Sequence, residues 1–157
     1  MNRSEFSQLV LSTQEGLRRF LLALCCGDSA LADDLAQEAY VKAYMAADSL
    51  ADVRAFPAWL RRIAYNTFVS SRRAVRSDEP IEAARTICAD TASDDAFRYQ
   101  ALYMALARLS DRERSAVALF YFDGFSIKEI AEISNASEGA VKQLLSRARA
   151  HLKDFLS

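Results

Sequence analysis

Residues 127–152 read IKEIAEISNASEGAVKQLLSRARAHL, and this stretch leaves the backbone little choice. Ile127, Ile130 and Ala131, then Val141, Leu145, Ala148 and Leu152, recur at the three-and-four spacing of a helix face. Ser126, with Glu129 three residues on, forms a capping box for the first run, and Ser137 caps the second. The corner is Asn135-Ala136-Ser137, and Asn enters a left-handed backbone more readily than most residues. The spacing therefore predicts two helices around a tight corner, a helix-turn-helix. Ser137, at the start of the second helix, and Lys142, Gln143, Ser146, Arg147 and Arg149 on its outer faces are the candidate DNA contacts. Lys and Arg neutralise phosphates, Arg reads guanine edges, and Gln and Ser bond to base edges. The plain alternative is an amphipathic surface helix with solvated charges.

The rest of the chain also favours helices. Four Gly and two Pro are few in 157 residues, while Ala, Leu and Arg, which enter a helix at little cost, are plentiful. No strand-like alternation runs through the sequence, so the expected fold class is all-α. A composition of 52% apolar and 26% charged residues is that of a soluble globular protein. No apolar run approaches the ~18 residues of a membrane span. The first thirty residues carry acids among their apolar positions, unlike a signal peptide. A cytoplasmic protein is expected, which suits three cysteines (Cys25, Cys26 and Cys88) without framework spacing. No CxxC pair accompanies the lone His151. The expectation is no metal site and no cofactor, with the thiols buried or merely tolerated.

The net charge of −1 hides strong segregation. Residues 1–60 sum to −3, 61–76 to +5, 77–96 to −5 and 97–157 to +2. Cationic patches kept apart by an acidic stretch suggest localised anionic partners. A first helix, capped by Ser4, carries Phe6, Leu9, Val10, Leu17, Phe20, Leu21 and Leu24 on one face and breaks at Gly27-Asp28. A second starts at Asp28 or Ser29 and runs to about Ala47. A third begins after Asp52, with Pro57 in its first turn and a core stripe of Phe56, Leu60, Ile63, Ala64 and Thr67.

Over residues 77–94 the amphipathic period fails, and acids with a Pro read as a flexible linker. At ~3.3–3.6 Å per residue this stretch reaches at most roughly 60 Å, approaching two turns of B-DNA at ~34–36 Å each. Beyond it, helices are expected from about Ala96 to Leu109 and from the Ser110 cap to Asp123-Gly124. The expected domains are a helical one at 1–76, a linker at 77–95 and a helix-turn-helix domain at 96–157.

Two further constellations stand out. On the third helix Trp59, Arg62, Asn66, Ser70 and Arg73 fall three or four apart, beside the core stripe. An indole and an amide among Arg61, Arg62, Arg72, Arg73 and Arg76 suit unstacked bases and backbone phosphates. The alternative is Trp59 in the core and solvated Arg. On the second helix Asp33/Gln37 and Asp34/Glu38 pair opposite Leu31, Leu35, Ala39 and Ala43. Nothing nearby supplies a nucleophile, a His or a metal partner, so no catalytic residue and no enzyme activity are expected. That leaves a solvated acidic face or a docking face for a basic protein surface.

Three segments, DSALADDLAQEAYVKAYMAADSL, FPAWLRRIAYNTFVSSRR and ALARLSDRERSAVALFYFDGFSIKEIAEISNASEGAVKQLLSRARAHL, resemble the extracytoplasmic-function sigma factors. These are small bacterial sigma subunits that direct RNA polymerase to promoters. The resemblance spans both modules and implies two partners, core RNA polymerase and promoter DNA, with an anti-sigma factor as a third. It implies no small-molecule substrate, and a protein that is cytoplasmic or held at the inner membrane through the anti-sigma factor. By the same likeness Asp33, Asp34, Gln37, Glu38 and Lys42 match the helix that docks on the polymerase clamp helices. Trp59, Arg62 and Asn66 match the segment that melts and reads the −10 element, and Lys142, Gln143, Ser146 and Arg147 match the −35 reader. Leu144 stands where relatives often carry a basic residue, and Asn135 where the turn Gly is usual.

The rival reading is a helix-turn-helix regulator with an N-terminal ligand-sensing or dimerisation domain, but the Arg-rich third helix is nothing a ligand sensor needs. If residues 77–94 are a linker, limited proteolysis of the free protein cuts there first and yields two helical fragments on a denaturing gel. Protection of that span would argue for one fused domain.

Overall fold

The computed structural model describes residues 1–78 and 99–156, and every regular element among them is helical. In the N-terminal module α1 (Arg3–Leu24), α2 (Ser29–Met45) and α3 (Phe56–Asp78) pack together. Two 3-10 turns, Ala47–Ser49 and Val53–Ala55, carry the chain from α2 to α3. The stretch assigned to the linker lies outside the described residues, except for Ser77 and Asp78, which belong to the last turn of α3.

The start of α1 differs from the sequence expectation. Asn2, not Ser4, is the cap: its side chain accepts from the Glu5 amide at 2.8 Å, and the Glu5 carboxylate accepts from the Asn2 amide at 3.2 Å. An Asn three residues before a Glu makes the reciprocal box, and Ser4 has no such partner at its own third position. Asp28 caps α2, accepting from the Leu31 amide at 3.1 Å. Between α1 and α2, Gly27 has a φ of +92° and lies against Tyr103, so close that a Cβ there would sit 2.7 Å from the ring. On α2, Ala32, Leu35, Ala39 and Ala43 are buried, and three alanines in that stripe let α1 and α3 approach closely. Leu17, Phe20 and Leu21 of α1 and Phe56, Leu60 and Phe68 of α3 fill the space around them.

The C-terminal module comprises α4 (Gln100–Ala107), α5 (Asp111–Val117), α6 (Ile127–Ser134) and α7 (Glu138–Leu156). Ser110 and Glu113 form the box at the start of α5, and Ser126 and Glu129 the one at the start of α6. After Val117 the helix loosens into one π turn, Ala118–Phe122, closed by the Asp123 amide on the Ala118 carbonyl at 3.1 Å. Asn135 takes the left-handed conformation (φ 53°, ψ 50°) that ends α6 and turns the chain into α7.

The two modules share one core: α5 and the π turn pack on α1, and α6 packs on α3. Arg114 joins them. Its guanidinium, 3% exposed, donates to the carbonyls of Leu24 (3.0 Å), Leu106 (3.3 Å) and Leu109 (3.0 Å) and to the Asp111 carboxylate (2.6 Å). These carbonyls lie at or just past the C-terminal ends of α1 and α4, where helix carbonyls have no partner within the helix and carry partial negative charge. Removing a buried hydrogen-bonded charge strands its acceptors, at a cost of roughly 3–5 kcal/mol. Arg114→Met, which keeps most of the volume, is expected to lower the urea-unfolding free energy by about that much. A loss below about 1 kcal/mol would show that water replaces the guanidinium without penalty.

Candidate nucleic-acid interface and acidic docking face

The final helix pair has the geometry its spacing predicts. Ile130, Ala131 and Ile133 of α6 bury against Val141, Leu145 and Ala148 of α7. Ser137, Lys142, Gln143, Ser146, Arg147 and Arg149 are all exposed. Two of the six are engaged locally. The Ser137 hydroxyl accepts from the Ala140 amide at 3.0 Å, as a helix cap. Arg149 donates to the Tyr121 hydroxyl at 2.7 Å and lies over that ring at 5.8 Å, so the π turn positions it. Leu144 is half-buried and lines a small cavity of about 200 Å³ with Tyr65, Arg112, Gln143 and Arg147.

On α3, Arg62, Asn66, Ser70 and Arg73 are exposed along one row. Trp59 is half-buried, tilted against Phe56 at 5.8 Å, so part of the indole serves the core. The five-Arg field is smaller than the sequence suggests. Arg61 is buried and donates to Asp123 at 3.2 Å, with the two side chains 7% and 3% exposed. Its guanidinium lies 6.0 Å from the centre of the Phe20 ring and 5.9 Å from that of Phe125. Gly16 makes room for it, because a Cβ there would stand 2.7 Å from Arg61 Nη2. Arg72 pairs with Asp111 through two contacts at 3.1 and 3.3 Å. Both Arg residues therefore meet carboxylates of the other module, which a reading of α3 alone does not reveal.

Burial marks this junction in the acid–base behaviour of its groups. Burial pushes the Asp123 carboxyl above its usual range, although Arg61 pulls the other way. Burial, the largest single influence, would lower the Arg72 guanidinium, but the hydrogen bond to Asp111, the charge of Asp111 and the nearby Cys25 and Cys26 together make the net shift upward. Tyr65 is raised by burial, partly offset by Arg112 beside it.

The two candidate DNA faces also meet. A groove of about 520 Å³ is lined on one side by Arg62 and on the other by Lys128, Glu132, Ser137 and Glu138. Sequence reasoning missed Lys128, Tyr65 and Arg112, since only the packing of the C-terminal module on α3 brings them beside the DNA candidates.

The polar residues of α2 all face outward. Asp33 accepts from Arg18 at 3.1 Å, Glu38 pairs with Lys42 at 3.4 Å, and Lys42 donates to the buried Thr67 hydroxyl at 3.2 Å. Asp34 and Gln37 are exposed beside them. Continuing the row, Val41, Tyr44 and Met45 are exposed too, Met45 by 80%. Tyr44 also packs edge-on against Phe6, with ring centroids 5.1 Å apart. The sequence reading assigned no role to Val41, Tyr44 or Met45.

A wholly helical fold that ends in a cationic helix-turn-helix, with an Arg-bearing helix beside it, defines a DNA-binding transcription protein. The family description Sigma-70 region 2 matches residues 9–77, and Sigma-70 region 4 matches residues 99–152. An RNA polymerase sigma-E factor of Streptomyces avermitilis is 33% identical over 97% of this chain and 85% of its own length. The sigma factor EcfG of Rhodopseudomonas palustris is 31% identical over 94% and 82%. The sigma factor RpoE of Bartonella quintana, solved in complex with the anti-sigma factor NepR, superposes with a TM-score of 0.78 at 29% identity, covering 97% of this chain and 96% of that one. This chain belongs to the extracytoplasmic-function group of the sigma-70 family. It directs bacterial RNA polymerase to promoters, and the family is one of non-enzymatic transcription factors. The reading as a ligand-sensing regulator is not favoured. Among the described residues no helix is long and apolar enough to cross a membrane.

Proposed function

We propose a division of labour for this sigma factor. Residues 1–76 bind core polymerase and open the −10 element, residues 77–95 link, and residues 96–157 read the −35 element. Asp33, Asp34, Gln37, Glu38 and Lys42 form the polymerase face, extended by Val41 and Met45. Trp59, Arg62, Asn66, Ser70 and Arg73 take the unstacked −10 strand. Ser137, Lys142, Gln143, Ser146, Arg147 and Arg149 meet the −35 duplex. The observation that carries this reading is the placement of each set: the members are exposed on a single helix, apart from the half-buried Trp59. An anti-sigma factor is a further partner, as it is for the Bartonella quintana relative. The protein is cytoplasmic, or held at the inner membrane when that partner is anchored there.

Asp34 and Glu38 lie off the buried stripe of α2, so charge reversal leaves the fold intact. The double variant Asp34→Lys/Glu38→Lys is expected to lose co-purification with core polymerase while keeping the wild-type helical circular dichroism. Pull-down at wild-type strength would remove α2 as the docking face.

The −35 assignment separates into two kinds of contact. Arg147→Ala is expected to weaken a cognate duplex by ~1–3 kcal/mol and relax specificity at one base pair. Lys142→Ala is expected to weaken all sequences alike and reduce the salt slope by about one unit. Binding titrations on matched and scrambled −35 duplexes across a salt series distinguish them, and no change from either substitution would leave the cationic face as solvated surface.

A further inference from the structure

The exposed polar residues of α7 fall into two rows. Gln143 and Arg147 make one, and Lys142, Ser146, Arg149 and Lys153, spaced three or four apart, make the other. A recognition helix meets base edges with its N-terminal residues. Arg149 lies two turns beyond Lys142, or about 10 Å further along the axis at 1.5 Å per residue. The major groove is about 8.5 Å deep. A helix entering it by the first turns therefore holds Arg149 at the rim, where phosphates stand, and not at base edges. The side chain is already fixed in place. Its Nε donates to the Tyr121 hydroxyl at 2.7 Å, and Cζ lies 5.8 Å from the centre of that ring. Donation through Nε leaves the N–H groups of the two terminal amino groups outside that bond, free to turn to an anion.

We propose that Tyr121 is a positioning residue for DNA binding, fixing Arg149 as a preset clamp for one phosphate of the −35 duplex. The inference rests on the assignment of α7 as the −35 reader. Three observations support it. Tyr121 is no core residue, being 52% exposed, and its ring is backed edge-on by the half-buried Phe120 at 4.9 Å. Both rings belong to the π turn Ala118–Phe122, and single π turns within helices recur at functional sites. The bond to Arg149 also does little for the fold. Arg149 and Tyr121 are both exposed, α5 and α7 already pack on each other, and a hydrogen bond open to water adds little to that. Binding is where the bond matters. A free Arg side chain gives up its rotamer freedom when it grips a phosphate, whereas one already bonded and laid against a ring has given it up on folding. Arg149 supplies the charge of the contact, and Tyr121 lowers the cost of making it.

The experiment uses the full chain and a fluorescein-labelled duplex of random sequence, about 20 base pairs long, with anisotropy read from about 50 to 200 mM salt. Arg149→Ala is expected to weaken binding roughly tenfold at the lowest salt and to reduce the salt slope by about one unit, as the loss of one phosphate contact does. Tyr121→Phe keeps the ring and removes only the hydroxyl. It is expected to weaken binding about threefold at every salt concentration with the slope unchanged, because the guanidinium charge remains. On the Arg149→Ala background, Tyr121→Phe is expected to cause no further loss. Helical circular dichroism is expected to be unchanged throughout. An equal loss from Tyr121→Phe in both backgrounds would show that Tyr121 acts on its own and overturn the positioning role. A lowered melting temperature with parental duplex affinity would make the pair a structural tie and overturn it too. If Lys142→Ala weakens binding while Arg149→Ala and Tyr121→Phe do not, the clamp is refuted and the −35 assignment stands. If Lys142→Ala also has no effect, the assignment of α7 falls and the inference falls with it.

Discussion

The arrangement of this molecule depends on where one buried guanidinium finds its acceptors. Arg114 takes the Leu24 carbonyl from the N-terminal module and those of Leu106 and Leu109 from its own, and Asp111 offsets its charge. Helix C-terminal carbonyls must find donors, and at a buried junction water cannot supply them. The planar, multiply donating Arg head suits this task better than the point charge of Lys. With Arg114 in place, α5 lies against α1, alongside the packing of α6 on α3 that brings the two candidate DNA faces together.

The polar contacts across the junction are of unequal quality. Arg114 is well satisfied, whereas Arg61 keeps an unbonded Nη1. The first kind stabilises, and the second selects an arrangement without adding much to its stability. Apolar contact is also present, through the shared core and through Tyr103 on Gly27.

Much of the local structure was legible. The boxes at Ser110 and Ser126 and the Ser137 cap were marked by side chains that bond to backbone within three residues, while Asn135 and Asp123-Gly124 were marked by residue types that accept a left-handed backbone or a turn. The cap of α1 was misplaced by two residues, since a Ser near a helix start outranked the Asn2/Glu5 reciprocity. The π turn left no trace, because Ala118–Phe122 reads as ordinary helix, and it lies where the buried Ala118 and Leu119 pack in the core shared with α1. Trp59 was offered two fates and takes something of both, half-buried against Phe56.

What the sequence determined by itself is the set of helices, their buried stripes and the chemistry carried on each outer face. Those follow from interactions among residues one or two turns apart, which periodicity and capping make visible. Which charges stay available is a different matter, and the tertiary structure alone decided it. Arg61 and Arg72 look no different in the sequence from Arg62 and Arg73, yet two are paired with carboxylates 62 and 39 residues away and two face solvent. The apolar row of α2 and the groove shared by Arg62 and Ser137 are of the same kind. Each depends on which surface a distant helix covers, and the free energy of that choice lies in long-range burial and buried ion pairs that leave no local pattern.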